Sequence, residues 1–528
     1  LTPSRGKMKI QSLIMTIPLK KEWATLINAY DYSLRETGAV RPDGWAGPLR
    51  PLWLGNETGG LQFFAESSLA WKTDNRQKEL EVAPAKEETL LKVNLINTPF
   101  LLEAAHTFAF GFEATPVKPP AADYRRWRIG NSDYVTSVTS EKEIDILQTW
   151  CTGWGKVCNA SGEVSYPIPG PRCTPGSFDV SLADGRKTFS FPYFQLCQTW
   201  AESEEFQQFG DEWLTNIREV YSPPPGSPKN EHNITVCPAA RSFQDFVLWG
   251  MNQLQSQAKP RGYYLDVSHP GACNNLHHGC GHASGNSAAV QTTLNILGTR
   301  EMVKRLYVHL KNGRPDGMII YHSSGQICMP VLGFADIIVD GENFNSLLDR
   351  KQNRGYENVL GLAAYRAEYM GHNFGPKVAL LPEFGRSIQR DEAAKVGPQH
   401  EEYLLGLILL HDSQIWLCTY LYDDEPVKRL YQALARYKLA TAPYEFIPYW
   451  KQTITQPLSD NETVVSFYVD RTKKRALAVV MNLSGKERSI RLSMNSQRIG
   501  LDLSKGKVTN ACHSEPAILS GDVLTLDK

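Results

Sequence analysis

The chain lacks a net charge: 56 Lys and Arg residues balance 56 Asp and Glu. That balance excludes a broadly basic nucleic-acid binder and a polyacidic tail protein. No run of about 18 apolar residues occurs, so no membrane span is expected. None of the ten cysteines sits in a C-x-x-C motif, which argues against zinc ribbons and thioredoxin-like chemistry. No G-x-G-x-x-G follows an early strand, which lowers a dinucleotide-binding reading. The chain opens at Leu1 with no visible signal peptide, so either one has been removed or the chain is a fragment. Sequons at Asn56, Asn159, Asn233, Asn461 and Asn482 point toward a secreted or periplasmic protein.

What is present is aromatic surface: 12 Trp, 22 Tyr and 20 Phe, more than a disordered chain carries. The 528 residues divide into three textures. Residues 1–120 read as strands and predict an N-terminal β-sandwich, whole or truncated. Arg50–Leu54 and Leu61–Glu66 flank a hairpin loop at Gly55–Gly60, and Phe108, Phe110 and Phe112 alternate with small residues. Across residues 121–443, apolar runs alternate with amphipathic helices. Eight strands are expected: Ile144–Cys151, Phe189–Gln195, Ile234–Cys237, Gly262–Asp266, Met318–His322, Asp336–Asp340, Val378–Glu383 and Gln414–Leu421. One intervening helix is expected to start on a capping box of Ser242 and Asp245. Eight strand–helix units over this length predict a (β/α)₈ barrel, with a doubly wound open sheet as the competitor. Residues 155–188, rich in Gly, Pro and Ser, fit that scheme poorly. Residues 444–528 predict a small antiparallel β domain with a hairpin turning at Asp470–Lys474.

In a parallel barrel, reactive groups gather at the C-terminal strand ends. The expected strands end in Asp266, in His322, in Asp340-Gly341-Glu342 and in Glu383 followed by Arg386. Paired carboxylates are what glycosidic bond cleavage needs: one protonates the leaving oxygen, the other attacks the anomeric carbon or activates water. Asp266 is the candidate nucleophile, and Asp340 or Glu342 the candidate acid/base. Glu383 could equally pair with Arg366 or Arg386. Trp150, Trp154, Tyr193 and Phe194 lie near strand ends, where flat rings can stack on a pyranose, though core packing explains any one of them. The loop after Asp266 holds His269, Cys273, Asn275, His277, His278, Cys280 and His282. Its spacing matches no standard zinc pattern, so no metal and no cofactor are expected. A loop pinned by a Cys273–Cys280 disulfide or by hydrogen bonds fits better, with His278 and Asn275 contacting substrate. Cys151 and Cys158 form a second close pair.

Several of these segments together resemble a known family. They are Leu61–Glu66, Phe110–Pro119, Tyr264–Asp266, Cys273–Gly281, His322–Gln326 and Phe334–Glu342. Nearly the whole chain resembles glycoside-hydrolase-like bacterial proteins related to the β-N-acetylgalactosaminidase family. The resemblance implies a β-sandwich, a (β/α)₈ barrel and a C-terminal β domain. Those relatives use an adjacent Asp-Glu pair and the substrate's acetamido group; here Val267 follows Asp266, a departure from that pattern. Acids at the fourth and sixth strand ends are similar instead to the α-galactosidase type of barrel, which retains configuration through an Asp nucleophile. The expected function is therefore a retaining glycoside hydrolase whose partner is a carbohydrate. The alternatives are a non-catalytic carbohydrate-binding protein on the same scaffold, and a metal-dependent hydrolase if the His/Cys loop holds an ion.

Overall fold

The computed structural model describes residues 1–528 apart from 4–5, 150–152, 160–161, 217–231, 284–289, 349–354, 385–398, 420, 422–423, 456–461, 487–488, 513–517, 521–522 and 528. The strands within residues 8–115 pair antiparallel. The hairpin Leu52–Asn56/Gly59–Phe64 turns through Glu57 and Thr58 alone. Its turn is tighter than the sequence suggests because Asn56 Oδ1 accepts the Thr58 N–H at 2.8 Å and its hydroxyl at 2.6 Å. This hairpin belongs to a five-stranded sheet, and a four-stranded sheet carries Leu13–Lys20, Glu88–Ile96, Leu80–Pro84 and Trp45–Gly47. Ile27, Leu54 and Phe63 of the first share one buried cluster with Trp45, Val82 and Leu91 of the second. Alternating side chains of each sheet thus meet face to face, which is how such layers exclude water.

The centre of the molecule is a ten-stranded sheet. Its strands are β1 (Trp127–Gly130), β2 (Asp145–Gln148), β3 (Asp179–Ser181), β4 (Lys187–Ser190), β5 (Tyr193–Gln195), β6 (Gly262–Asp266), β7 (Met318–His322), β8 (Ile337–Asp340), β9 (Lys377–Leu380) and β10 (Gln414–Leu417). The spatial order is β3-β4-β2-β1-β10-β9-β8-β7-β6-β5. Among the described residues, β3 alone is antiparallel to its neighbour in this sheet. β4 and β5 lie on opposite sides of this order, yet only Phe191 and Pro192 separate them in the chain. Phe191 N–H donates to Gln148 O of β2 (2.7 Å), and Tyr264 N–H of β6 donates to Pro192 O (3.0 Å). The sheet is therefore curled until its two flanks meet on one bent segment.

Side-chain alternation divides the sheet into two faces. Ile129, Leu147, Tyr193, Tyr264, Ile320, Ile337, Val339, Ala379 and Trp416 form one closed cluster inside the curl. Ile146, Phe194, Leu265, Tyr321, Ile338, Val378 and Leu417 face outward into a second cluster with the helices. Those helices include α1 (Ser132–Val138), α2 (Glu204–Trp213), α3 (Arg241–Ala258), α4 (Ile296–Gly313), α5 (Leu362–Glu368), α6 (Gln399–Leu410) and α7 (Asp424–Tyr437). Phe243, Val247, Met251 and Leu254 are buried on α3, and Met302, Val303, Leu306 and Leu310 on α4, while Phe246 and Tyr307, at the same helical spacing, are only half-buried. No helix among the described residues is long and apolar enough to cross a membrane.

Three expectations need correction. Ile234–Cys237 is not in the main sheet: Asn233–Thr235 pairs antiparallel with Gln198–Trp200. The strand that the sequence hides is β1, because Arg125, Arg126 and Arg128 mask its apolar pattern. Arg128 is nevertheless buried, its guanidinium on Glu141 at 2.6 and 2.9 Å. The Ser242/Asp245 capping box does not form either. Ser242 Oγ instead accepts the indole N–H of Trp213 at 2.8 Å, and Asp245 takes Arg305 at 2.5 Å. The described part of 155–188 holds no helix and supplies β3.

Residues 445–527 add two three-stranded antiparallel sheets, one containing the hairpin Thr463–Asp470/Arg475–Asn482. The N-terminal sheets meet the loop after β7 and helix α5 through polar contacts of buried side chains. Gln62 donates to Ile327 O (2.8 Å) and accepts the Met329 N–H (2.6 Å). Asn28 donates to Glu368 Oε2 (3.1 Å).

Gly262 opens β6 where β7 approaches closely, and a Cβ there would run into the Met318 carbonyl and the Phe191 ring. Neither backbone can retreat without breaking the ladder, so Gly262→Ala should lose about 2–3 kcal/mol. Denaturant unfolding of the variant against the parent chain measures this.

Candidate active site

Inward-facing residues at strand ends converge. Asp266 follows Gly262 and Tyr264 on the inner side of β6, and His322 follows Met318 and Ile320 on that of β7. The Tyr193 hydroxyl, from β5, donates to Asp266 Oδ2 at 2.6 Å. Val267 N–H donates to Asp266 Oδ1 at 2.7 Å. His322 Nδ1 lies 3.3 Å from Asp266 Oδ1 and 3.0 Å from the Tyr264 hydroxyl. On its other side, His322 Nε2 lies 3.6 Å from Glu342 Oε2, which also accepts the Ser324 hydroxyl at 3.1 Å. The side chains of Asp266 and Glu342 keep 20% and 34% of their surface exposed, whereas that of His322 keeps 6%. A buried imidazole thus stands between two carboxylates that solvent can reach.

The backbone is bent to produce this. Val267 has φ 47° and Ser324 φ 48°, both in the left-handed region that residues with a Cβ avoid, and most of all a β-branched one. Such strain concentrates at functional sites, where surrounding contacts hold it in place.

Charge follows from the contacts. Burial alone would raise the Asp266 carboxyl. The facing His322 charge, with hydrogen bonds from His322, Tyr193 and Val267, overrides it and brings the pKa to about 2. Burial alone would lower His322; Asp266 first, then Glu342 and Asp340, raise it to about 9. At neutral pH the centre therefore holds an imidazolium beside an ionised Asp266.

Asp340 stands elsewhere. It has the parity of Ile338, on the outer face of β8, and is wholly buried. Its Oδ1 accepts the Gly325 N–H at 2.6 Å, and Glu368 of α5 is its neighbour. Burial raises the pKa of both acids, and that of Glu368 is raised further by Asp340. The Gly341 φ of 129° then reverses the chain so that Glu342 returns to the inner side, next to His322. The sequence treats Asp340 and Glu342 alike; strand alternation separates them.

The remaining expected site residues scatter. Tyr193 is present, but its buried ring stacks on Tyr264 at 5.4 Å, so its contribution is its hydroxyl and not a sugar platform. Trp154 is core, with its indole N–H on Tyr193 O at 2.6 Å. His269 is exposed and within electrostatic reach of Asp266 and His322. Asn275 is buried, with its amide donating to Asp211 O, Glu212 O and Leu214 O, and His278 faces Cys273 and Glu212 O. Neither amide nor imidazole offers an atom to a ligand at Asp266. Glu383 is buried, its N–H on the Tyr356 hydroxyl at 2.9 Å, and Arg366 pairs with Glu57 instead. Trp150, Cys151 and Arg386 lie outside the described residues. No disulfide joins Cys273 to Cys280.

Sequence reading missed Tyr264, Ser324, Glu368 and Glu163. Glu163 Oε2 accepts from Gln195 (3.3 Å), whose amide also reaches the Tyr193 hydroxyl (3.5 Å). It sits on the irregular 155–188 segment, where no periodicity marks it. Ser324 had a signal: it immediately follows His322-Ser323 at a strand end.

No family model matches the chain, and no curated protein does. Among solved structures, the chain is similar to an α-galactosidase from Lactobacillus brevis, with 11% identity over 100% of this chain and 77% of that one and a TM-score of 0.46. It is similar to the GH36 α-galactosidase AgaB from Geobacillus stearothermophilus, with 13% identity over 99% and 76% and a TM-score of 0.46. It is also similar to a noncanonic maltogenic α-amylase, AmyB, from Thermotoga neapolitana, with 10% identity over 75% and 90% and a TM-score of 0.43.

The His322 shift makes stability depend on pH. Its folded pKa of about 9 exceeds the unfolded value of about 6.5, so its contribution is full below pH 6.5 and disappears as pH rises to 9. At most that contribution is roughly 3 kcal/mol. The stability difference between the parent chain and His322→Gln should shrink across this window. Denaturant unfolding at pH 6, 8 and 9.5 checks it; a constant difference would contradict the imidazolium.

Proposed function

We propose that the chain is a glycoside hydrolase whose working pair is Asp266 and Glu342. The observation that supports this is their placement: two solvent-reachable carboxylates at one end of a curled parallel sheet, on opposite nitrogens of one imidazole. We read the sheet as a (β/α)₈ barrel closed through the bent β4–β5 segment, with a β-sandwich over residues 1–120 before it and a β domain over 444–528 after it. Ligands of such barrels enter at the C-terminal strand ends, where this pair stands.

In this reading Glu342 passes a proton from the His322 imidazolium to the departing glycosidic oxygen. The Nε2–H of the His322 imidazolium stands behind it as a proton source. Asp266 is kept ionised by His322 and Tyr193 and stabilises positive charge developing at the anomeric carbon. The retaining course expected from sequence asks for carboxyl groups about 5–5.5 Å apart. On that course Asp266 attacks the anomeric carbon as the glycosidic bond breaks, and water then frees the sugar from Asp266, giving its proton to Glu342. Asp340 is a positioning residue: it holds the Gly325 N–H and so the loop from which Ser324 bonds Glu342.

A panel of aryl glycosides and oligosaccharides, with NMR of the first-formed anomer, tests this. On the best substrate, Asp266→Asn and Glu342→Gln should each lower kcat roughly 10²–10⁴-fold while leaving the fold intact. Asp340→Asn should lose far less. First release of the same anomer is expected; the opposite anomer would overturn the retaining course, and full turnover by Asp266→Asn would overturn the assignment.

A further inference from the structure

The loop after β6 meets the segment before α3 at a cluster of donors outside the carboxylate site. Cys237, Cys273, Cys280 and His278 bring three thiol sulfurs and one imidazole nitrogen within 4.8 Å of one another. Cys237 Sγ and Cys280 Sγ are 3.8 Å apart, and Cys273 Sγ lies 3.1 Å from His278 Nε2. We propose that these four side chains form a structural zinc site.

The geometry matches the ion. Tetrahedral zinc with bonds of about 2.3 Å to sulfur places two sulfurs about 3.8 Å apart, and Cys₃His is a standard structural set. A disulfide is a poorer use of the same atoms. Its sulfurs would stand about 2 Å apart, and one bridge would leave the third thiol buried beside an imidazole. Cys237 and Cys273 are fully buried, with Cys280 nearly so.

The surroundings are those of a metal ligand set. His278 Nδ1 lies 2.7 Å from Glu212 O, and a carbonyl only accepts, so Nδ1 carries the proton and Nε2 presents its lone pair to the sulfurs. Asn295 Nδ2 donates to Cys237 Sγ at 3.2 Å, a partner suited to a thiolate. The Asn295 carboxamide oxygen holds the Gly271 N–H at 2.8 Å, so the same residue braces the chain entering the loop. Four protein donors fill a tetrahedron and leave no position for substrate, so the ion would be structural and not the centre of a metal-dependent hydrolase.

The site departs from the sequence expectation of no metal. Cys273-x₄-His278-x-Cys280 is not a standard spacing, and the fourth ligand, Cys237, comes from the other side of α3. By clamping this loop to the entry of α3 and, through Asn275 and His278, to the end of α2, zinc would fix the path of the chain leaving Asp266.

The test is metal analysis of the full chain, produced with zinc in the medium, purified without chelator and dialysed into metal-free buffer. About one zinc per chain is expected, and Cys273→Ser and His278→Ala should each carry less than about one fifth of that. Cys512→Ser, outside the cluster, should keep it. If the ligand variants fail to fold, cobalt(II) titration of the zinc-stripped parent chain decides. Intense visible bands and sulfur-to-metal charge transfer, saturating at one equivalent, support the site. Absence of bound zinc after incubation with excess zinc, absence of those bands, or retention of zinc by folded Cys273→Ser would overturn it.

Discussion

An imidazole with a carboxylate at each nitrogen gains a proton, and that proton keeps two nearby acids from repelling each other. His322 occupies this position between Asp266 and Glu342. The ring is buried, so the attraction is felt at low dielectric, where a charge of either sign alone would be expelled. The Tyr193 and Tyr264 hydroxyls, the left-handed Val267 and Ser324, and the Ser323–Gly325 loop all serve to keep the three groups in register.

The curl of the sheet is what makes that register possible. Asp266 and His322 come from neighbouring parallel strands, paired through Leu265 and Tyr321, and both follow the inward parity of their strands. Glu342 reaches the same space only because Gly341 reverses the chain after Asp340. The outer acids, Asp340 and Glu368, are joined to the N-terminal sheets through Asn28. A buried acid pair thus lies where two layers of the molecule meet, and through Gly325 it braces the loop that carries Ser324.

Strand-end acids were legible in the sequence because apolar runs ending in Asp or His announce themselves, as Gly262–Asp266 and Met318–His322 do. Parity was not, because Ile337, Ile338 and Val339 are apolar on both faces and nothing in their composition says which looks inward. The first strand escaped notice because its buried Arg128 is balanced by Glu141, thirteen positions on, a pairing that no local pattern reveals. Glu163 and Glu368 reach their places from an irregular segment and from a short helix. The His/Cys loop stood out as unusual, but its meaning needed Cys237, brought in by the packing of α3.

The most direct measurement is an NMR titration of the His322 ring, identified by loss of its signal in His322→Gln. A midpoint near 9 is expected, with the ring charged throughout the neutral range. A midpoint near the ordinary value of about 6.5 would mean that the two carboxylates do not bracket the ring, and would contradict the site as described.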